Sequence, residues 1–211
     1  MTRDPLAPAV IAELLRSTMT TLRSELTALP DSVSAFHPAP GEWCAREVLG
    51  HLIEAEQRGF AGRIRIILAG STPRLETWDQ NEVARARHDC ERDGRTLLDE
   101  LGRMRDDSAA LVRGLRREDL ERAGEHPKVG RLRVVDLLQE WIHHDRNHVK
   151  QILANVQAFV WPHLGTPRRS RPSRRDRRAP VAVRSRFGER VDRASQYEVI
   201  MPDPLFGLGI A

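Results

Sequence analysis

Apolar residues recur at spacings of three and four along four stretches of the chain, and nowhere do they alternate with polar ones over a useful length. The first stretch runs from about Pro8 to Leu29 and places Ile11, Leu14, Leu15, Leu22, Leu26 and Leu29 on one face. Pro8 suits a first helical turn, and Pro30-Asp31 ends the segment. Residues 31–43, with Pro38, Pro40 and Gly41, have no period and predict a loop. A second helix is expected from near Cys44 to Ala69, with Val48, Leu52, Ala55, Gly59, Gly62 and Ile66 as its stripe and Gly70-Ser71-Thr72-Pro73 as its stop. The third lies between about Asp79 and Leu115. It starts weakly at Val83 and Ala84, strengthens through Leu97, Leu98, Leu101, Met104, Ala109, Leu111, Val112 and Leu115, and offers Gly94 and Gly102 as places to break. The fourth runs from Val134 to about Val160, where Trp161-Pro162 closes it.

Four amphipathic segments without strands predict an all-α four-helix bundle. Residues 70–80, if extended at ~3.3 Å per residue, span the length of a bundle helix, about 30 Å for 20 residues. The second and third helices therefore need not be antiparallel neighbours.

With 211 residues the chain buries a sizeable core without staples, and its two cysteines, Cys44 and Cys90, are too few for a disulfide framework. No run approaches the roughly 18 apolar residues of a membrane span, and Asp4 and Glu13 flank the first apolar run with no cleavage site. A cytoplasmic protein without membrane contact is expected. The net charge of +4 is unevenly placed. Residues 165–211 hold 11 Arg, no Lys and five acids, a net of +6, which leaves 23 basic and 25 acidic side chains, a net of −2, on residues 1–164. Five of the 13 prolines also lie beyond Gly165, and residues 168–178 read RRSRPSRRDRR. This divides the chain into a domain at 1–165 and a basic tail at 166–211, expected to be disordered. A nucleic-acid role would rest on that tail alone and is not expected of the domain.

Histidines alter the picture more than charge does. The inward stripe of the fourth helix reads Val134, Leu137, Leu138, Trp141, His144, His148, Ile152, Val156 and Phe159, so two imidazoles stand where a bundle would place Leu or Ile. Side chains four apart on a helix lie side by side, ~5–6 Å between Cβ atoms, and both rings can reach one point. Leaving each buried and unsatisfied would cost about 1–3 kcal/mol, so either neighbours hydrogen-bond them or a divalent cation binds them. His51 falls on the inward side of the second helix between Val48 and Ala55. Three imidazoles aimed at a bundle interior form an open metal site with positions free for water or substrate. His143 is about 100° off the stripe, and His37, His88, His126 and His163 receive no role.

The segments PGEWCAREVLGHLIEAE at 40–56 and EWIHHDRNHVKQILANVQAFVWPHLG at 140–165 resemble the DinB-like superfamily of metalloenzymes, which includes YfiT-type thiol transferases. The shared features are a Trp opening the second helix, a His eight residues on, and an H-x-x-x-H pair beginning 93 residues later. The resemblance covers about residues 6–165 and implies up-down-down-up topology with a divalent ion on His51, His144 and His148. Cys44 stands where the family commonly has a Ser helix cap, and the tail beyond Gly165 has no counterpart.

Relatives in that superfamily conjugate low-molecular-weight thiols such as bacillithiol or use mycothiol. The resemblance therefore implies a Zn²⁺-, Ni²⁺- or similar metal-dependent transferase joining a small thiol to an electrophile; pairing of the chain as a homodimer is a separate expectation. Metal-assisted hydrolysis and a non-catalytic metal-binding bundle are the alternatives. Glu54, Glu140 and Asp145 are candidate acceptors for ligand N–H groups, and Arg58, Arg63 and Arg146 are candidate anion contacts. Cys44, at a helix N-terminus, is either an activated thiol or, the favoured reading, a small apolar filler beside Trp43. Trp43, Trp141 and Trp161 are read as packing residues.

Overall fold

A computed structural model describes residues 4–165; the tail expected to be disordered lies outside the described residues. The elements are α1 (Pro8–Thr27), a single turn α2 (Asp31–Ser34), α3 (Ala45–Glu54), a π-helical segment (Ala55–Phe60), α4 (Ala61–Ala69), α5 (Gln80–Arg87), α6 (Gly94–Arg113), a hairpin of β1 (Ala123–His126) and β2 (Gly130–Arg133), and α7 (Val134–Val160). The backbone is continuous from α3 through the π segment into α4, giving four long rods: α1, α3–α4, α6 and α7.

Side-chain pairs fix their directions. Arg23 pairs with Asp99 at 2.9 Å while Arg113 pairs with Glu13, so α1 and α6 are antiparallel. Leu6 bonds Gln139 and Arg146 bonds Thr18, so α1 and α7 are parallel. His51 meets His144 and Asn155 reaches the Trp43 carbonyl, which sets α3 antiparallel to α7. Arg105 reaches Glu56, and Arg46 reaches Arg92 just ahead of α6, so the second and third rods run the same way. The bundle is up-down-down-up, and residues 70–93 carry the chain back along its length.

That return is anchored rather than loose. Leu75 is buried, its N–H donates to the Glu125 carbonyl at 2.9 Å, and Glu125 N–H donates to Pro73 O at 2.8 Å, so the crossover lies along the hairpin edge. The hairpin is a correction to the expectation of no strands: its four-residue strands, pairing Ala123 with Arg133 through His126 with Gly130, are too short to show alternation. Likewise the long third helix is two. The Asp79 carboxylate caps α5 by accepting from the Asn81 and Glu82 N–H groups, and His88, in the left-handed conformation at φ 52°, ends it. Buried Asp89 then accepts from Arg87 and Arg92 and sits against α3 where a Cβ on Gly50 would lie 1.7 Å from its Oδ2. Asp93 caps α6 through the Thr96 N–H.

The π segment displaces the second stripe. Ile66 is 46% exposed, whereas Phe60, Ile64 and Ile67 are buried, one residue later than uninterrupted 3.6 periodicity gives for Gly59 and Ile66. A π turn adds one residue and rotates everything after it. The wide turn also brings the Gln57 carbonyl to within 1.9 Å of where a Cβ on Gly62 would sit.

Two apolar clusters fill the bundle. One gathers Ile11, Leu15, Phe60, Ile64, Ile67, Val112, Leu137, Leu138 and Trp141; the other Leu22, Val48, Leu49, Leu52, Leu97, Leu101 and Ile152. Between them lies a belt of buried polar groups, Thr18, His51, Glu56, Arg105, Ser108, His144 and Asp145. Among the described residues no helix is long and apolar enough to cross a membrane.

Candidate metal centre

The belt contains two of the three histidines singled out from the pattern, and the third, His148, borders it. His51, on the last turn of α3, and His144, midway along α7, are 4% and 1% exposed, and His148, one turn further, is half-buried. The His51 and His144 Nε2 atoms are 3.1 Å apart. Ring centroids stand 5.2 Å apart for His51–His144, 4.6 Å for His51–His148 and 4.4 Å for His144–His148. One nitrogen from each ring lies within 4.8 Å of the others.

The environment keeps the His51 and His148 rings as lone-pair donors. Burial, then the neighbouring His148 and His144, holds His51 well below the ordinary imidazole range, and burial with His144 pushes His148 down to about 3. His148 Nδ1 lies 2.8 Å from the Gln151 amide oxygen, a bond that places the proton on Nδ1 and leaves Nε2 facing the cluster. The donor set fits a divalent cation: two tetrahedral ligands bonded at ~2.0–2.1 Å stand about 3.3 Å apart, near the observed Nε2 separation. Three protein ligands leave a further position open.

Aromatic rings and an ion cluster form the surroundings. Trp43 packs on His51 with centroids 5.0 Å apart, and Phe60 lies edge-on to His144 at 5.1 Å while stacking on Trp141. Arg105, beneath the site, grips Asp145 with both terminal nitrogens at 2.7 and 3.3 Å and reaches Glu56 at 3.2 Å. Burial disfavours the Asp145 charge, yet Arg105 and His144 hold the carboxyl below its usual range. Glu56 behaves oppositely: burial pushes it up to about 7 against the pull of Arg105 and Ser108. One guanidinium cannot fully compensate two buried carboxylates, and Asp145 holds the closer share.

The candidate neighbours divide. Asp145 Oδ1 lies 3.9 Å from His144 Nδ1. Glu54 turns instead to Arg58 at 2.7 Å and Arg87 at 2.8 Å. Glu140 acts electrostatically on Arg63, which donates to the Glu76 carbonyl and lies over Trp78. Arg146 donates to Thr18, and His143 is exposed. The activated-thiol alternative for Cys44 is corrected, because the side chain is fully buried and burial pushes its thiol well above the usual range despite the helix start. The missing hydroxyl cap is offset by Glu47, whose carboxylate accepts from the Cys44 N–H at 2.8 Å. Sequence reasoning missed Gln151, Glu56 and Arg105; the last was visible as an arginine on the inward stripe between Leu101 and Val112.

Residues 14–152 match the DinB superfamily. A Bacillus licheniformis protein named as a proposed metal-dependent hydrolase is 28% identical over 127 residues, 57% of this chain and 69% of that protein. The uncharacterised YuaE of Bacillus subtilis is 28% identical over 144 residues, 61% of this chain and 86% of its own. Among solved structures, YfiT from Bacillus subtilis, described as a probable metal-dependent hydrolase with an unusual four-helix bundle topology, superposes with a TM-score of 0.68 at 18% identity, covering 75% of this chain and 93% of YfiT.

Proposed function

The chain belongs to the DinB superfamily, and from that premise we propose that it is a divalent-metal enzyme whose ion is held by His51, His144 and His148. The observation that carries this is the meeting of three imidazoles from two rods, two of them buried, with one nitrogen of each within 4.8 Å of the others. A bound Zn²⁺- or Ni²⁺-class ion supplies Lewis acidity, lowering the pKa of a thiol or water so that a nucleophile exists near neutral pH. Gln151 holds the His148 proton away from the centre, and Asp145 with Arg105 braces His144. Trp43, Phe60 and Trp141 exclude water from one side, while half-buried His148 marks the side from which substrate arrives.

The reaction proposed is transfer of a low-molecular-weight thiol to an electrophilic small molecule. Metal-assisted hydrolysis is the second reading, favoured by the names of the relatives. Protein stripped with chelator and reloaded with Zn²⁺ or Ni²⁺ is incubated with cysteine and 1-chloro-2,4-dinitrobenzene, and the products are identified by mass spectrometry. A thioether adduct that depends on metal supports transfer, a phenol formed alone supports hydrolysis, and no turnover with any electrophile leaves a non-catalytic bundle. Elemental analysis should find far less metal in His148→Ala than in the wild type; equal content removes His148 from the centre.

A further inference from the structure

At the end of the bundle beyond Trp43, a second group of donor atoms comes together from three segments far apart in sequence. Cys44 caps α3, Cys90 lies in the turn between α5 and α6, and His37 follows α2; Cys44 Sγ, Cys90 Sγ and a His37 ring nitrogen lie within 4.8 Å of one another. We propose that Cys44, Cys90 and His37 form a second metal site, for a thiophilic cation of the Zn²⁺ class, distinct from the three-histidine centre.

Three observations carry it. First, the imidazole is set in the ligating tautomer. His37 Nδ1 lies 2.8 Å from the Glu42 carbonyl and 3.4 Å from the Glu47 carboxylate, so Nδ1 carries the proton and Nε2 is left to face Cys90 Sγ at 3.4 Å. A ring N–H given to a carbonyl or carboxylate is the usual support behind a ligating histidine. Second, the loops are held in place without the ion. The Arg46 guanidinium donates to Ser34 Oγ at 3.0 Å and to the Cys90 and Arg92 carbonyls at 3.3 and 3.0 Å, and it pairs with Asp31 at 2.6 Å. One side chain, two residues past Cys44, thus ties together the segments that carry His37 and Cys90. Third, the set grades from fully buried Cys44 through half-buried Cys90 to exposed His37, which leaves an entry path for an ion and an open fourth position.

Two thiolates with one imidazole select Zn²⁺ or a similarly soft ion over Mg²⁺ or Ca²⁺. Binding replaces two S–H bonds by two metal–sulfur bonds and sends both protons to solvent, so affinity rises with pH. The site would clamp the loop that carries Trp43, and through it one wall of the histidine centre.

Cobalt separates the two centres, since only a thiolate ligand gives intense sulfur-to-Co²⁺ charge-transfer absorption in the near ultraviolet. The full chain, reduced and stripped of metal, is titrated with Co²⁺ and its bound cobalt counted. The expected result is two ions per chain with the sulfur band present. Cys90→Ser should abolish the band and lose one ion while keeping the helical circular dichroism, and exposed His37→Gln should weaken cobalt binding at that site by about tenfold or more. His148→Ala should keep the band. A wild type without the band, or a Cys90→Ser protein that retains it, overturns the proposal. Loss of the band in His148→Ala as well overturns the separation of the sites.

Discussion

The two donor clusters hold similar chemistry by different means. The histidine cluster stands on the faces of two long rods, where helical spacing alone brings His144 and His148 together and antiparallel packing supplies His51. The Cys44–Cys90–His37 cluster stands on a cap, a turn and a loop, and its geometry is owed to one arginine and a few backbone carbonyls. The first is rigid because the apolar clusters on either side are. The second depends on hydrogen bonds at the bundle's end, and should open at lower cost.

Perturbations of the belt should therefore be severe and those of the end mild. Arg105→Met leaves Asp145 and Glu56 buried without their cation, and urea denaturation should show a loss of about 3–5 kcal/mol. Glu56→Gln tests the same cluster by pH. With its folded pKa near 7, above the ordinary 4.5 of a glutamate, Glu56 contributes stability below about pH 4.5 that is lost as pH rises through 7. The metal-free variant should thus gain on the wild type across that interval, and parallel stability–pH curves would remove the charge from Glu56's account. Gly62→Ala drives a methyl into the Gln57 carbonyl, and a cost of about 1–3 kcal/mol is expected from thermal unfolding. Gln151→Leu should leave the fold intact and weaken metal binding at the histidine centre about 10- to 100-fold by equilibrium dialysis. Asn155→Ala removes the bond to the Trp43 carbonyl, a hydrogen bond between α7 and the segment joining both clusters; about 0.5–1.5 kcal/mol should be lost.

How much of this could be read from the chain follows the same division. Bundle class, the four rods and the convergence of His51, His144 and His148 follow from 3.6 periodicity, because each depends on local spacing. The π segment was not legible: AEQRGF carries no pattern that separates a five-residue turn from an ordinary one, and only the burial of Ile64 and Ile67 instead of Ile66 reveals it. The break after His88 was partly legible: Gly94, one of the two places offered for a break, opens α6, but RARHDCERDG shows no period to place the intervening turn, and its inward anchor is a carboxylate, Asp89. His37 and Cys90 lie 53 residues apart with nothing periodic between them, and only the crossover brings them into register.

That crossover has a practical consequence for re-engineering the molecule. Because the first and last rods point the same way, the start of α1 and the end of α7 lie at opposite poles, separated by roughly the 40 Å that 27 helical residues span. A circular permutant of residues 4–165 alone would need a bridging peptide of about 12 residues or more at ~3.3 Å each. Reporter groups attached at Leu6 and Leu164 would likewise read the full length of the barrel-shaped bundle, and so its integrity, as a single distance.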